Sequence, residues 1–148
     1  MESESQTKVA IAATLHCLTG CAIGEILGTV IGSALNWSNG ATAMLGILLA
    51  FIFGYGLTTR PLLKHGIGLR QALGLALAAD TLSILTMEIV DTLIILLVPG
   101  ALAAGPTTGL FWASLAVALF IAFWVAVPVN RHLIARGKGH AVVHSIHN

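Results

Sequence analysis

Four long apolar stretches, separated by short polar breaks, limit what this chain can fold into more than any single motif does. They run from Val9 to about Leu35, from Ala41 to about Thr59, from about Ala72 to Val98 and from Leu110 to about Val129. An α-helix of about 20 residues crosses the hydrocarbon core of a bilayer and satisfies its own backbone hydrogen bonds where water cannot. The first stretch exceeds that length, so it is expected to tilt or to project beyond the lipid. With 57% hydrophobic and 9% charged residues and a mean hydropathy of +0.94, the chain has too little polar surface for a soluble domain of 148 residues. The expected fold is all-α, a polytopic membrane protein of four transmembrane helices that meets the lipid bilayer directly.

Placement of the charges orients it. Lys8, Arg60, Lys64, Arg70, Arg131, Arg136 and Lys138 all lie outside the apolar stretches. The breaks at 36–40 and 101–109 contain no Lys or Arg, whereas the 60–70 connector and the two ends hold all of them. By the positive-inside rule both termini are expected in the cytoplasm, with the protein multi-pass in the inner (plasma) membrane. Residues 1–8 read as a mobile polar tail lacking the cationic start and cleavage site of a signal peptide. Residues 9–130 are the transmembrane domain, with Arg60-Pro61 expected to stop the second span and the connector after it to lie at the membrane surface. Residues 131–148 are a basic, His-rich cytoplasmic tail, in which His140, His144 and His147 are either a low-affinity metal hand-off site or a solvated end.

The acids tell a different story, because Glu25, Asp80, Glu88 and Asp91 lie inside the spans. A charged carboxylate at the bilayer centre costs about 2.5–3.5 kcal/mol on insertion scales, so these groups must face a partner, an ion, water or a proton. On the first span, Cys17, Cys21 and Glu25 follow one another every fourth residue and form one helical stripe, with His16 one position round. On the third span, Asp80, Met87 and Asp91 share a face, with Glu88 to one side. These two spans run parallel. Counted from their cytoplasmic ends, Asp80 falls near the level of His16 and Cys17, Glu88 near the level of Glu25, and Cys21 between the two levels.

Two thiols, an imidazole and a thioether are soft to borderline ligands that suit Cu(I) or Zn(II), and carboxylates add charge or oxygen donors. An intramembrane metal site built from His16, Cys17, Cys21, Glu25, Asp80, Met87, Glu88 and Asp91 is therefore expected, in a transition-metal transporter or channel. A Cys17–Cys21 disulfide is disfavoured, since a regular helix points both side chains the same way. The plain alternatives are that the cysteines are small buried hydrophobes and that Met87 is core. Two further function classes stay open: a proton- or cation-conducting channel that uses the acids, and a non-transporting scaffold or thiol-redox partner. Nothing suggests nucleic acid as a partner, and no nucleotide-binding loop, haem-attachment motif or hydrolytic triad is visible, so an enzyme is not expected.

A second stripe accompanies the first. Gly20, Gly24, Gly28 and Gly32 recur every fourth residue, and in a membrane helix small residues at that spacing let another backbone approach closely. The neighbour can be another helix of the same chain or a second copy, and a homo-oligomer joined through this stripe is expected.

The run from His16 to Glu25, with Ala78-Ala79-Asp80-Thr81, Met87-Glu88-Ile89-Val90-Asp91 and Pro128-Val129-Asn130-Arg131, resembles a bacterial and archaeal family of small integral-membrane proteins labelled as a domain of unknown function. The resemblance covers nearly the whole chain. It implies a compact polytopic membrane domain and brings no assigned reaction. A looser similarity of ingredients to eukaryotic copper-uptake channels, which combine Met ligands, a Gly-xxx-Gly helix and a His/Cys tail, is analogy only, because span count and motif order differ.

Overall fold

The computed structural model describes residues 2–135. They form α1 (Glu2–Ala34), α2 (Asn39–Lys64), α3 (Leu69–Leu97) and α4 (Gly109–Ala135), each long and apolar enough to cross a membrane. Arg136, Lys138 and the three tail histidines lie outside the described residues.

Helix ends are set by local chemistry that the hydropathy pattern only brackets. α1 begins at Glu2, so the polar tail expected to be mobile is a helical extension, with Lys8 reaching Glu4 one turn back at 3.7 Å. Its far end closes on Asn36, which takes a left-handed φ of 55°. There Trp37 N–H donates to Gly32 O and Asn36 N–H to Ser33 O, the paired bonds of a Schellman cap. Ser38 then starts α2, its hydroxyl accepting from the Ala41 N–H at 3.2 Å.

The stop expected at Arg60-Pro61 is not the end of α2. The helix runs through Pro61 to Lys64 and closes on Gly66, with φ of 82°, through Ile67 N–H to Leu62 O and Gly66 N–H to Leu63 O. Proline removes one helical hydrogen bond but does not compel termination, whereas glycine supplies the left-handed residue a Schellman cap requires. Thr108 caps α4 by accepting from the Phe111 N–H, and the Trp112 indole pins the preceding loop through Pro106 O at 2.9 Å.

The bundle is apolar outside, and its few polar groups are buried among small apolar residues. Leu97, Met44, Phe120 and Trp124 are all more than 60% exposed, as side chains facing lipid would be. Small residues line the interior: Ala72, Ala76 and Ala79 on α3, and Ala118, Ala122 and Ala126 on α4, recur at helical spacing and are buried. Helices with such faces approach closely and leave room for the few larger interior groups.

The glycine stripe has its partner within the chain. A Cβ placed on Gly20 would lie 2.8 Å from the Cα of Gly54, one on Gly24 2.5 Å from the Cα of Ala50, and one on Gly28 2.5 Å from the Cα of Gly46, while Gly32 meets the Thr42 side chain. Each step of four residues up α1 is thus matched by a step of four down α2. Of the two neighbours the stripe could take, the one present here is a helix of the same chain. The face is already covered by α2, because an antiparallel neighbour on a short turn reaches it first.

Candidate functional site

Along α3 the buried face carries Asp80, Ser83, Ile84, Met87, Glu88 and Asp91. These positions are three or four residues apart or adjacent, so they form one stripe, and it faces inward. α1 presents Cys17, Cys21 and Glu25 to it, all buried. Cys17 Sγ lies 3.6 Å from Asp80 Oδ1, and Cys21 Sγ lies 4.0 Å from Met87 Sδ. Glu25 stands one turn further along with Glu88 and Asp91, near enough for the three carboxylates to act on one another electrostatically. Asp80 is thus level with Cys17 and Glu88 with Glu25, as expected from their places along the two spans, while Cys21 stands with Met87.

Three levels result. At the first, Glu25, Glu88 and Asp91 are 9%, 3% and 3% exposed; Glu88 hydrogen-bonds Glu25 and Cys21, and neither carboxylate oxygen of Asp91 has a hydrogen-bond partner. Glu25 packs over Gly46 of α2, where an added Cβ would make ordinary contact with the carboxylate at 3.5 Å. Glu25 and Asp91 also line a cavity of about 90 Å³ that extends toward the end of the bundle formed by the α1–α2 turn and the loop before α4. That volume holds several waters.

The second level is sulfur and hydrocarbon. Cys17, Cys21 and Met87 pack with Ala50, Ile84, Ala122 and Ala126, and neither cysteine is in a disulfide. Along α3, Ile84 and Met87 stand between the acid pair Glu88 and Asp91 and the deeper Asp80, so the polar seam is interrupted by apolar side chains here. Asp80 is fully buried against Cys17. His16 is half-buried, one position round from Cys17, outside the fully buried face that carries the other candidates.

The third level was not expected from sequence. Asn130, fully buried on α4, donates from Nδ2 to Thr14 Oγ1 at 2.8 Å, and Thr14 in turn donates to Ala10 O at 2.6 Å. Asn130 Oδ1 is buried with no partner. Thr14→Val would leave the Asn130 amide without its bond, and interhelical hydrogen bonds in membranes are worth about 1 kcal/mol. Thermal unfolding in detergent should therefore show Thr14→Val less stable than wild type and Thr14→Ser close to it. Equal stability of the two variants would contradict a role for the bond.

Of the eight candidate ligands, seven share the buried interior, but they are spread along it. Among the described residues no three His, Cys, Asp or Glu side chains are grouped so as to hold a metal ion. The arrangement is a ladder of polar groups rather than a closed coordination shell.

A family model matches residues 6–139, which takes in all three levels. The chain belongs to the family described as Domain of unknown function (DUF4396). No curated protein and no solved structure matches it. In this family member the site geometry alone carries the functional argument.

Proposed function

We propose that this protein conducts protons or cations across the membrane along the α1–α3 seam, with Glu25, Glu88 and Asp91 as the groups that receive the ion. The observation that carries this reading is that Asp91 is buried with both carboxylate oxygens unpartnered and lines a cavity roomy enough for water, beside the hydrogen-bonded pair Glu25 and Glu88. A carboxylate so placed either holds a proton or shares a cation, since an isolated buried charge costs several kcal/mol. No Lys or Arg lies between Lys8 and Arg60 or between Arg70 and Arg131 to neutralise these acids from within the spans. Occlusion by Ile84 and Met87 means that passage requires a side-chain or helix movement. The protein is not read as an enzyme. Liposomes reconstituted with the purified protein should pass protons or cations faster than empty liposomes, and equal rates would overturn the reading.

A second reading has its own support. Cys21 Sγ against Met87 Sδ, with Cys17 one turn deeper, is a soft-donor step that suits Cu(I), or Zn(II) with help from the carboxylates, as a transported ion. A ladder can hand such an ion from one donor pair to the next without a closed site.

Orientation belongs to the same proposal. Both termini are placed in the cytoplasm and the cavity on the outer side, in the plasma membrane. Reporter fusions near Asn39 and Gly105 should register outside, and fusions at His65 or at the C-terminus inside. A cytoplasmic signal at Gly105 would contradict this topology.

A further inference from the structure

The cavity above the acids differs in chemistry from the sulfur level below. Its wall contains the carboxylates of Glu25 and Asp91 and the hydroxyls of Thr29, Ser33, Thr42 and Ser114, and among the described residues no Cys, Met, His, Lys or Arg lines it. Oxygen donors without thiol, thioether or imidazole favour hard cations. Asp91 is 97% buried as part of this wall, and neither of its oxygens has a partner. The Ser114 hydroxyl donates its proton to the Leu110 and Phe111 carbonyls, which leaves its lone pairs able to accept from water or to meet a cation.

We propose that this cavity binds a hard divalent cation, calcium or magnesium, between Glu25 and Asp91, with part of the ion's hydration shell retained. This deepens the conduction reading, on which it rests, by naming the class of ion. Glu25 and Asp91 line the cavity with no Lys or Arg in the wall, and Glu88 hydrogen-bonds Glu25, so carboxylates alone are there to balance a double positive charge. The space of about 90 Å³ holds the ion with several waters. A hard divalent ion that keeps waters needs only one or two carboxylates from the protein, which agrees with the absence of three grouped ligands among the described residues. Trp37, also in the wall, is a built-in reporter.

Terbium, a hard lanthanide that replaces calcium, is the probe. Titrated into the purified full-length protein in detergent, it should give saturable luminescence excited through tryptophan, displaced by calcium or magnesium and not by potassium. Asp91→Asn should weaken terbium binding at least tenfold, and Cys17→Ser with Cys21→Ser should leave it unchanged. Absence of a saturable signal, a signal that neither divalent ion displaces, or equal binding by Asp91→Asn would overturn the proposal. Should Asp91→Asn fail to fold, carbodiimide labelling of the wild type decides: calcium should protect Glu25 and Asp91, and labelling unaffected by calcium overturns the site. Divalent binding without flux in liposomes would uphold this site and sink the conduction reading. Proton flux without divalent binding would do the reverse.

Discussion

Gly24→Leu is expected to prevent the bundle from assembling. Its Cβ alone would fall 2.5 Å from the Ala50 Cα, and the atoms it meets are α2 backbone, which cannot turn aside as a side chain can. Adding methylenes to a well-packed interior costs about 1–3 kcal/mol even where neighbours can repack. Here α1 and α2 must separate along their length, so a loss of about 3 kcal/mol or more is expected. Size-exclusion chromatography and thermal unfolding in detergent should show aggregated or far less stable protein. Gly24→Ala should already destabilise measurably, whereas Gly56→Ala, where an added Cβ meets nothing within 4 Å, should unfold at the wild-type temperature. A Gly24→Leu protein with wild-type elution and stability would show that α2 does not cover the stripe.

That pairing was half legible in the sequence. The α1 stripe of Gly20, Gly24, Gly28 and Gly32 stands out because it is all glycine. Its complement on α2, Thr42, Gly46, Ala50 and Gly54, has the same spacing but mixes residue types, and only the two together identify an antiparallel hairpin. The depths of the site residues were legible for a simpler reason. Cys17 to Glu25 and Asp80 to Glu88 are both eight residues apart, and parallel helices rising about 1.5 Å per residue keep such pairs level. The spans followed from apolar length, while their ends did not, because Gly66 and Asn36 terminate helices through backbone conformation rather than hydropathy.

The Thr14–Asn130 bond could not be read in advance. Its partners lie 116 residues apart, and a threonine in an apolar span ordinarily bonds its own helix, as Thr19, Thr81 and Thr86 do. Asn130 carried the usable signal, an amide at the edge of a span one residue before Arg131. Ser83 was equally open to detection, lying three residues from Asp80 and four from Met87 on the inward face. The extent of convergence was also hidden. Helical spacing puts eight donors on facing stripes, but only packing shows that they divide into separate levels with Ile84 and Met87 between the acids and Asp80.

The largest functional effect is expected at the acids. Asp91→Asn and Glu88→Gln keep size and shape while removing the charge that would receive an ion, so they should abolish flux with little change in stability. The cysteines lie deeper in apolar packing, and Cys17→Ser with Cys21→Ser should leave proton or hard-cation flux nearly intact. If the soft-metal reading holds instead, losing either thiol should weaken Cu(I) or Zn(II) binding at least tenfold, about 1.4 kcal/mol.

One measurement therefore bears most directly on the account: ion flux in liposomes reconstituted side by side with wild type, Asp91→Asn and the double-serine protein, with bound copper and zinc determined on the same preparations. The acid-lined path predicts flux in wild type and in the double-serine protein and none in Asp91→Asn. Flux that survives Asp91→Asn but disappears with the two thiols, together with copper or zinc bound only by wild type and Asp91→Asn, would contradict it and assign the path to the sulfur ligands.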